Sequence, residues 1–73
     1  MRITLNRFES GWVGISIALT DENLDLFVQK LQALKAGSIG HFHLRANDFD
    51  GQPNVGDVEI SLASESDGAF SIE

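Results

Sequence analysis

The sequence predicts a small α+β domain in which an antiparallel-rich β-sheet carries one amphipathic helix packed on one face. Four short segments alternate between apolar and polar residues, which is typical of half-buried strands, and one longer segment has apolar residues at helical spacing. The segments follow the order β-β-α-β-β, and a helix packed on an antiparallel sheet is the simplest way to bury their apolar faces. A chain of 73 residues is one domain, which we place at residues 1–73.

The first two alternating runs predict a β-hairpin. Ile3 and Leu5 share one face in residues 2–8, and a turn is expected in residues 9–11. The second run, residues 12–19, has four apolar side chains on one face: Val13, Ile15, Ile17 and Leu19. Gly14 inside this run indicates a bulge or the close approach of a neighbouring backbone or ring.

The helix is predicted to begin after Thr20 and to end at Gly37. Thr20 is a good N-cap, Asp21 and Glu22 suit the positive end of the helix dipole, and glycine often ends a helix. One apolar stripe is expected to form the core: Leu24, Phe27, Val28, Leu31 and Leu34.

A second hairpin is expected after the helix. Phe42 and Leu44 alternate with polar residues, a loop rich in turn formers covers residues 46–56, and residues 57–63 alternate again. Phe70 and Ile72 then belong either to a short fifth strand or to a tail packed on the sheet edge. The outward face of this hairpin carries the polar side chains.

Composition narrows the classes of function. Eleven acidic and five basic residues give a net charge of −6, which disfavours binding to nucleic acid or to anionic membranes. This charge either keeps the domain soluble or complements a basic partner protein. The chain has no cysteine, no apolar run long enough to span a membrane and no signal-peptide pattern, so we expect a cytoplasmic protein.

Two histidines are the first candidates for chemistry. His41 and His43 share a strand face, and Glu59 on the next strand completes a set that resembles an open zinc or iron site. A small metal-binding enzyme or sensor is therefore one alternative. Such pairs are also ordinary on polar strand faces. Because spacing fixes no third ligand, the sequence predicts no tightly bound transition metal and no cofactor.

Other features favour a binding protein over an enzyme. The chain has no Gly-rich phosphate loop and is too short for a deep pocket. Asp48-Phe49-Asp50-Gly51 lacks the spacing of a calcium loop and is expected to be a turn. Trp12 is either an exposed anchor for a partner or folded over its own sheet. The predicted partner-binding residues are Trp12, His41, His43, Asp48, Phe49, Asp50, Asp57 and Glu59.

A family resemblance adds a specific expectation. The segment SIGHFHL at residues 38–44, an acidic glycine-containing loop, and DVEISL at residues 57–62 resemble the immunity protein 32 group of bacterial polymorphic toxin systems. The resemblance implies an inhibitor that binds a toxin, with His41 and His43 as the positions carried over. We therefore expect an acidic inhibitor that occludes a basic partner, as a monomer or homodimer. A homo-oligomeric structural module that pairs through a sheet edge is the remaining alternative.

Overall fold

The computed structural model describes residues 1–47, 55–65 and 68–73, and it confirms the predicted order of elements. Within the described ranges the strands pair as two antiparallel hairpins, the first with the second and the third with the fourth. The elements are β1 (Arg2–Arg7), β2 (Val13–Ala18), α1 (Asp21–Ala36), β3 (His41–Arg45) and β4 (Asp57–Ser61).

A tight turn joins β1 to β2. The Phe8 amide donates to the Trp12 carbonyl over 2.9 Å, and Gly11 has a φ of 92°, a left-handed conformation that favours glycine. The predicted close approach at Gly14 is confirmed and its partner is a ring. A Cβ at Gly14 would lie 3.0 Å from the ring of Phe8, which occupies the space that a larger side chain would take.

Local capping interactions set both ends of α1, as the sequence predicts. The Thr20 hydroxyl oxygen accepts a hydrogen bond from the Asn23 amide over 3.1 Å. At the other end Gly37 adopts a φ of 80°, and the amides of Gly37 and Ser38 donate to the carbonyls of Leu34 and Ala33. These two bonds form a Schellman motif, which satisfies carbonyls that the helix leaves without partners.

The core lies between α1 and the inner face of β3–β4. Among the described residues only Leu34, Phe42 and Leu44 are buried. Phe27 meets Phe42 edge to face, with ring centroids 5.7 Å apart. The partly buried side chains around this cluster are Ile3, Phe27, Ile39, Val58 and Ile60.

The sheet differs from the expected single layer. The strands form two separate two-stranded sheets, β1–β2 and β3–β4, and no pairing joins them among the residues that the structure describes. A single helix has one apolar stripe, and α1 directs part of it at β3–β4 through Phe27 and Leu34. The helix therefore covers β3–β4, and none of the described elements covers most of the apolar row on β2.

The helix stripe is only partly core, which corrects the expectation drawn from its spacing. Leu24, Val28 and Leu31 are exposed, whereas Leu34 is 6% exposed. At 100° per residue the exposed row lies about 70° around the helix from the side that contacts β3–β4. The contact with a narrow two-stranded sheet is too small to cover a stripe of this width.

The described residues of the chain end add no strand to the fold. Residues 68–73 form no strand, and Phe70 and Ile72 are 95% and 103% exposed. Neither the fifth strand nor the packed tail is therefore present in the described residues.

Candidate functional site

The outer face of β3–β4 gathers the polar side chains that the sequence assigned to it. The strand register pairs His43 with Glu59 and Arg45 with Asp57. The polar side chains of both strands therefore lie on the same face of the sheet. Phe42 and Leu44 consequently face the core. The outward set is His41, His43, Arg45, Asp57, Glu59 and Ser61.

His43 is held by a carboxylate on the neighbouring strand. Its Nδ1 lies 3.0 and 3.1 Å from the two carboxylate oxygens of Asp57. Arg45 Nε donates to the same carboxylate over 3.2 Å. A carboxylate only accepts hydrogen bonds, so this contact places the ring hydrogen of His43 on Nδ1. The imidazole orientation is therefore fixed, and in the neutral ring Nε2 keeps its lone pair.

The other nitrogen of His43 faces a second carboxylate without bonding to it. Nε2 lies 3.7 Å from Glu59 Oε1, which is longer than a hydrogen bond. The His41 ring stands perpendicular to the His43 ring, at 89°, with centroids 5.2 Å apart. Donor atoms of His41, His43 and Glu59 all lie within 4.8 Å of one another. Two imidazoles and one carboxylate thus converge on one small volume.

The charge of this face is more balanced than the sequence suggests. The carboxylate of Asp57 is shared by His43 and Arg45, and Glu59 lies beside His43. These contacts offset much of the negative charge of the two carboxylates within the face itself.

Trp12 is exposed and belongs to the other hairpin. The residue is 78% exposed, so its side chain is not folded over its own sheet. The surrounding turn fixes its backbone, because the Trp12 carbonyl accepts from the Phe8 amide. The strand pairing does not bring Trp12 into the sheet that holds the histidines. Asp48, Phe49 and Asp50, also predicted to bind a partner, lie outside the described residues.

An exposed apolar surface is the main feature that sequence reasoning missed. Val13, Ile15 and Ile17, expected in the core, form a row on β2 that is 40–54% exposed; we call it the β2 row. A second exposed row on α1, the helix row, consists of Leu24, Val28 and Leu31. The number of predicted elements indicates this exposed surface, because one helix is too small to cover the apolar faces of two hairpins.

A shallow, largely apolar groove runs between α1 and β3. Leu26, Phe27 and Lys30 line its helix side, and Phe42 and Leu44 line its strand side. His43, between these two strand residues, also contributes to the lining, so the groove adjoins one of the two histidines.

No helix in the described part of the chain is long and apolar enough to cross a membrane. No protein-family model, curated protein or solved structure matches this chain. The resemblance to the immunity protein 32 group therefore stays a prediction.

Proposed function

We propose that this chain is a protein-binding module whose partner has a basic surface with an apolar centre. The role that the sequence resemblance implies is inhibition by occlusion, as in an immunity protein. The observation that carries the proposal is the set of apolar side chains left exposed on the folded chain.

The exposed area exceeds what a compact monomer of this size has. The chain exposes 6580 Å² at a mass of 8.0 kDa, whereas a compact monomer of that mass exposes about 4,500 Å². Its radius of gyration is 14.1 Å, against about 11 Å for a compact domain of this length.

Extended segments account for most of this excess. If the nine residues outside the described ranges and the six of residues 68–73, which form no strand, were as exposed as an unfolded chain, they would account for about 2,400 Å². On the same scaling an excess of about 400 Å² remains, about half of the 800 Å² that a standard interface covers on each partner. The proposal therefore rests on which apolar side chains are exposed, namely Trp12 and the β2 row.

The β2 row and Trp12 are the proposed centre of the interface. Trp12 directly precedes β2, and an exposed tryptophan on a fixed backbone is a frequent energetic anchor because it buries a large area at little entropic cost. Val13, the next residue, starts the β2 row, whose branched apolar side chains lie on the opposite strand face from Trp12 and suit a dry contact. A partner that contacts both would wrap around the edge of β2. The alternation of this row on a paired strand keeps Ile15 and Ile17 on one face.

The net charge of the whole chain favours a basic partner over a second copy of this chain, whereas the β2 row itself has one basic neighbour, because Arg7 pairs with Val13. Glu9 lies in the turn next to Trp12, and Asp21, Glu22 and Asp25 lie in the first half of α1, beside Leu24. A second copy would bring a further charge of −6 to the interface. A basic surface would instead be attracted, which speeds encounter at low salt, while buried anchors slow dissociation.

The first experiment is sedimentation velocity of the purified full-length chain over a hundredfold range of concentration. We expect a monomer throughout, because like charges oppose self-association. A concentration-dependent dimer that is lost on Ile15→Thr would assign the β2 row to a second copy and would overturn the proposed partner.

The second experiment measures binding to a protein recovered from the native host and then purified. Trp12→Ala should weaken binding at least thirtyfold, the level of an interface hot spot, mainly through faster dissociation. Phe70→Ala removes a still more exposed aromatic side chain outside the proposed interface and should have no effect.

A second matched pair tests the strand face. Ile15→Thr should weaken binding, whereas Ser61→Thr introduces the same side chain on β4, outside the proposed interface, and should not. Equal affinities for all four variants, or a complex whose association rate does not fall with salt, would contradict the proposal.

A further inference from the structure

We propose that His41, His43 and Glu59 bind one divalent first-row transition metal ion, with Zn²⁺ as the representative ion. This site lies on β3–β4 and does not depend on the proposed interface at β2. The proposal revises the expectation from spacing alone, because the strand register supplies the third ligand that spacing does not fix.

The contact between Asp57 and His43 is the first reason. Metal-binding histidines commonly donate their second ring N–H to a carboxylate, which fixes the tautomer and raises the basicity of the ligating nitrogen. Asp57 makes this contact at 3.0 Å from Nδ1, and Arg45 holds the carboxylate in place. Nε2 of His43 is therefore the nitrogen available to a metal.

The separations between the side chains are the second reason. Around a tetrahedral zinc, nitrogen and oxygen ligands lie about 3.3–3.5 Å apart at ordinary bond lengths. The observed distance from His43 Nε2 to Glu59 Oε1 is 3.7 Å. Two imidazoles on one such ion would have ring centroids about 5 Å apart, and the rings of His41 and His43 are 5.2 Å apart. Small rotations of exposed side chains would complete the approach.

Electrostatics is the third reason. A nitrogen lone pair of a neutral His43 and the carboxylate of Glu59 face each other, and both are electron donors. A cation between them converts this repulsion into attraction. A divalent ion would also offset the charge of Glu59, whereas Arg45 already offsets that of Asp57.

The donor set selects the class of metal. Two imidazole nitrogens and one carboxylate suit zinc and its first-row neighbours, whereas calcium and magnesium prefer oxygen ligands alone. His41 and Glu59 are exposed, so further coordination positions are open to water. The arrangement is that of an open site with three protein ligands.

The test is calorimetric titration of the tag-free, full-length chain with Zn²⁺. We expect one ion per chain and a complete loss of that binding on His43→Gln. Asp57→Asn should weaken binding about 10–100-fold, the usual effect of removing a carboxylate behind a ligating histidine. Asp25→Asn makes the same change of charge on α1 and should leave the affinity unchanged.

Glu59→Gln separates a three-ligand site from a simple pair of exposed histidines. It should weaken binding at least tenfold, since a neutral amide is a poor ligand for zinc. Circular dichroism establishes that each variant is folded. If a variant does not fold, NMR of the wild-type histidines decides: both imidazoles should shift together at one equivalent of Zn²⁺.

Three results would overturn the proposal. The first is no binding by the wild type, and the second is affinity unchanged by both Asp57→Asn and Glu59→Gln. The third is a wild-type NMR titration in which only one imidazole responds. Because none of these measurements uses a protein partner, their failure would leave the proposed interface untouched.

Discussion

Leu31 and Leu34 offer a direct test of how the helix faces the core. They have the same side chain and lie three residues apart on α1, yet Leu34 is 6% exposed and Leu31 is 39% exposed. Leu→Ala has the same effect on helix propensity at both positions, so the difference between the variants reports packing alone. We expect Leu34→Ala to be clearly the more destabilising change.

The magnitude follows from burial. Removing the end of a fully buried leucine loses about 2.4 kcal/mol of transfer free energy, and the cavity it leaves raises the cost to about 3–4 kcal/mol. Leu31 is about three-fifths buried, so Leu31→Ala loses about three-fifths of this transfer free energy and leaves no enclosed cavity. We therefore expect a loss of stability of about 1–1.5 kcal/mol.

Urea denaturation followed by circular dichroism measures both values. A chain of this length has a total stability of about 4–11 kcal/mol. If Leu34→Ala leaves too little folded protein, Leu→Val at the same two positions makes the comparison with a smaller step. Equal losses at both positions would mean that the whole stripe is core and that the helix row is covered.

The helix caps provide two smaller tests by the same denaturation assay. Thr20→Ala should cost about 1 kcal/mol by removing the acceptor for the Asn23 amide, and Thr20→Ser should retain most of the stability; equal losses would contradict the capping role. Gly37→Ala should cost about 1–2 kcal/mol because its φ of 80° is left-handed. Gly40→Ala is the control, since a Cβ there meets no atom within 4 Å and its φ is not positive; a loss as large as at Gly37 would refute the conformational explanation.

Local features of the sequence predicted most of the secondary structure. The limits of α1 follow from Thr20 and Gly37, whose capping preferences act within one turn of the chain. The inward and outward sets of β3 and β4 follow from alternation, which is a property of the strand itself. Predictions of this kind succeed because neighbouring residues determine the outcome.

Packing between elements could not be predicted in the same way. Apolar spacing places Leu31 and Leu34 on one broad stripe, and only the position of β3–β4 decides which of them is buried. The contact between Asp57 and the Nδ1 of His43 likewise depends on strand register and on a side-chain rotamer. Alternation also predicts that Ile15 and Ile17 share a face. It does not predict whether another element covers that face.

The pairing of each strand with its sequence neighbour has a consequence for how fast the chain folds. Neither hairpin requires distant segments to meet, since ten residues separate Leu5 from its partner Ile15 and sixteen separate His43 from Glu59. Short loops close at a small entropic cost, and chains dominated by such pairings cross low barriers. The β1–β2 hairpin, α1 and the β3–β4 hairpin can each begin to form independently. We expect the slower event to be the docking of these three units around Phe42. That step brings Ile3 of β1 and Val58 of β4 into one cluster.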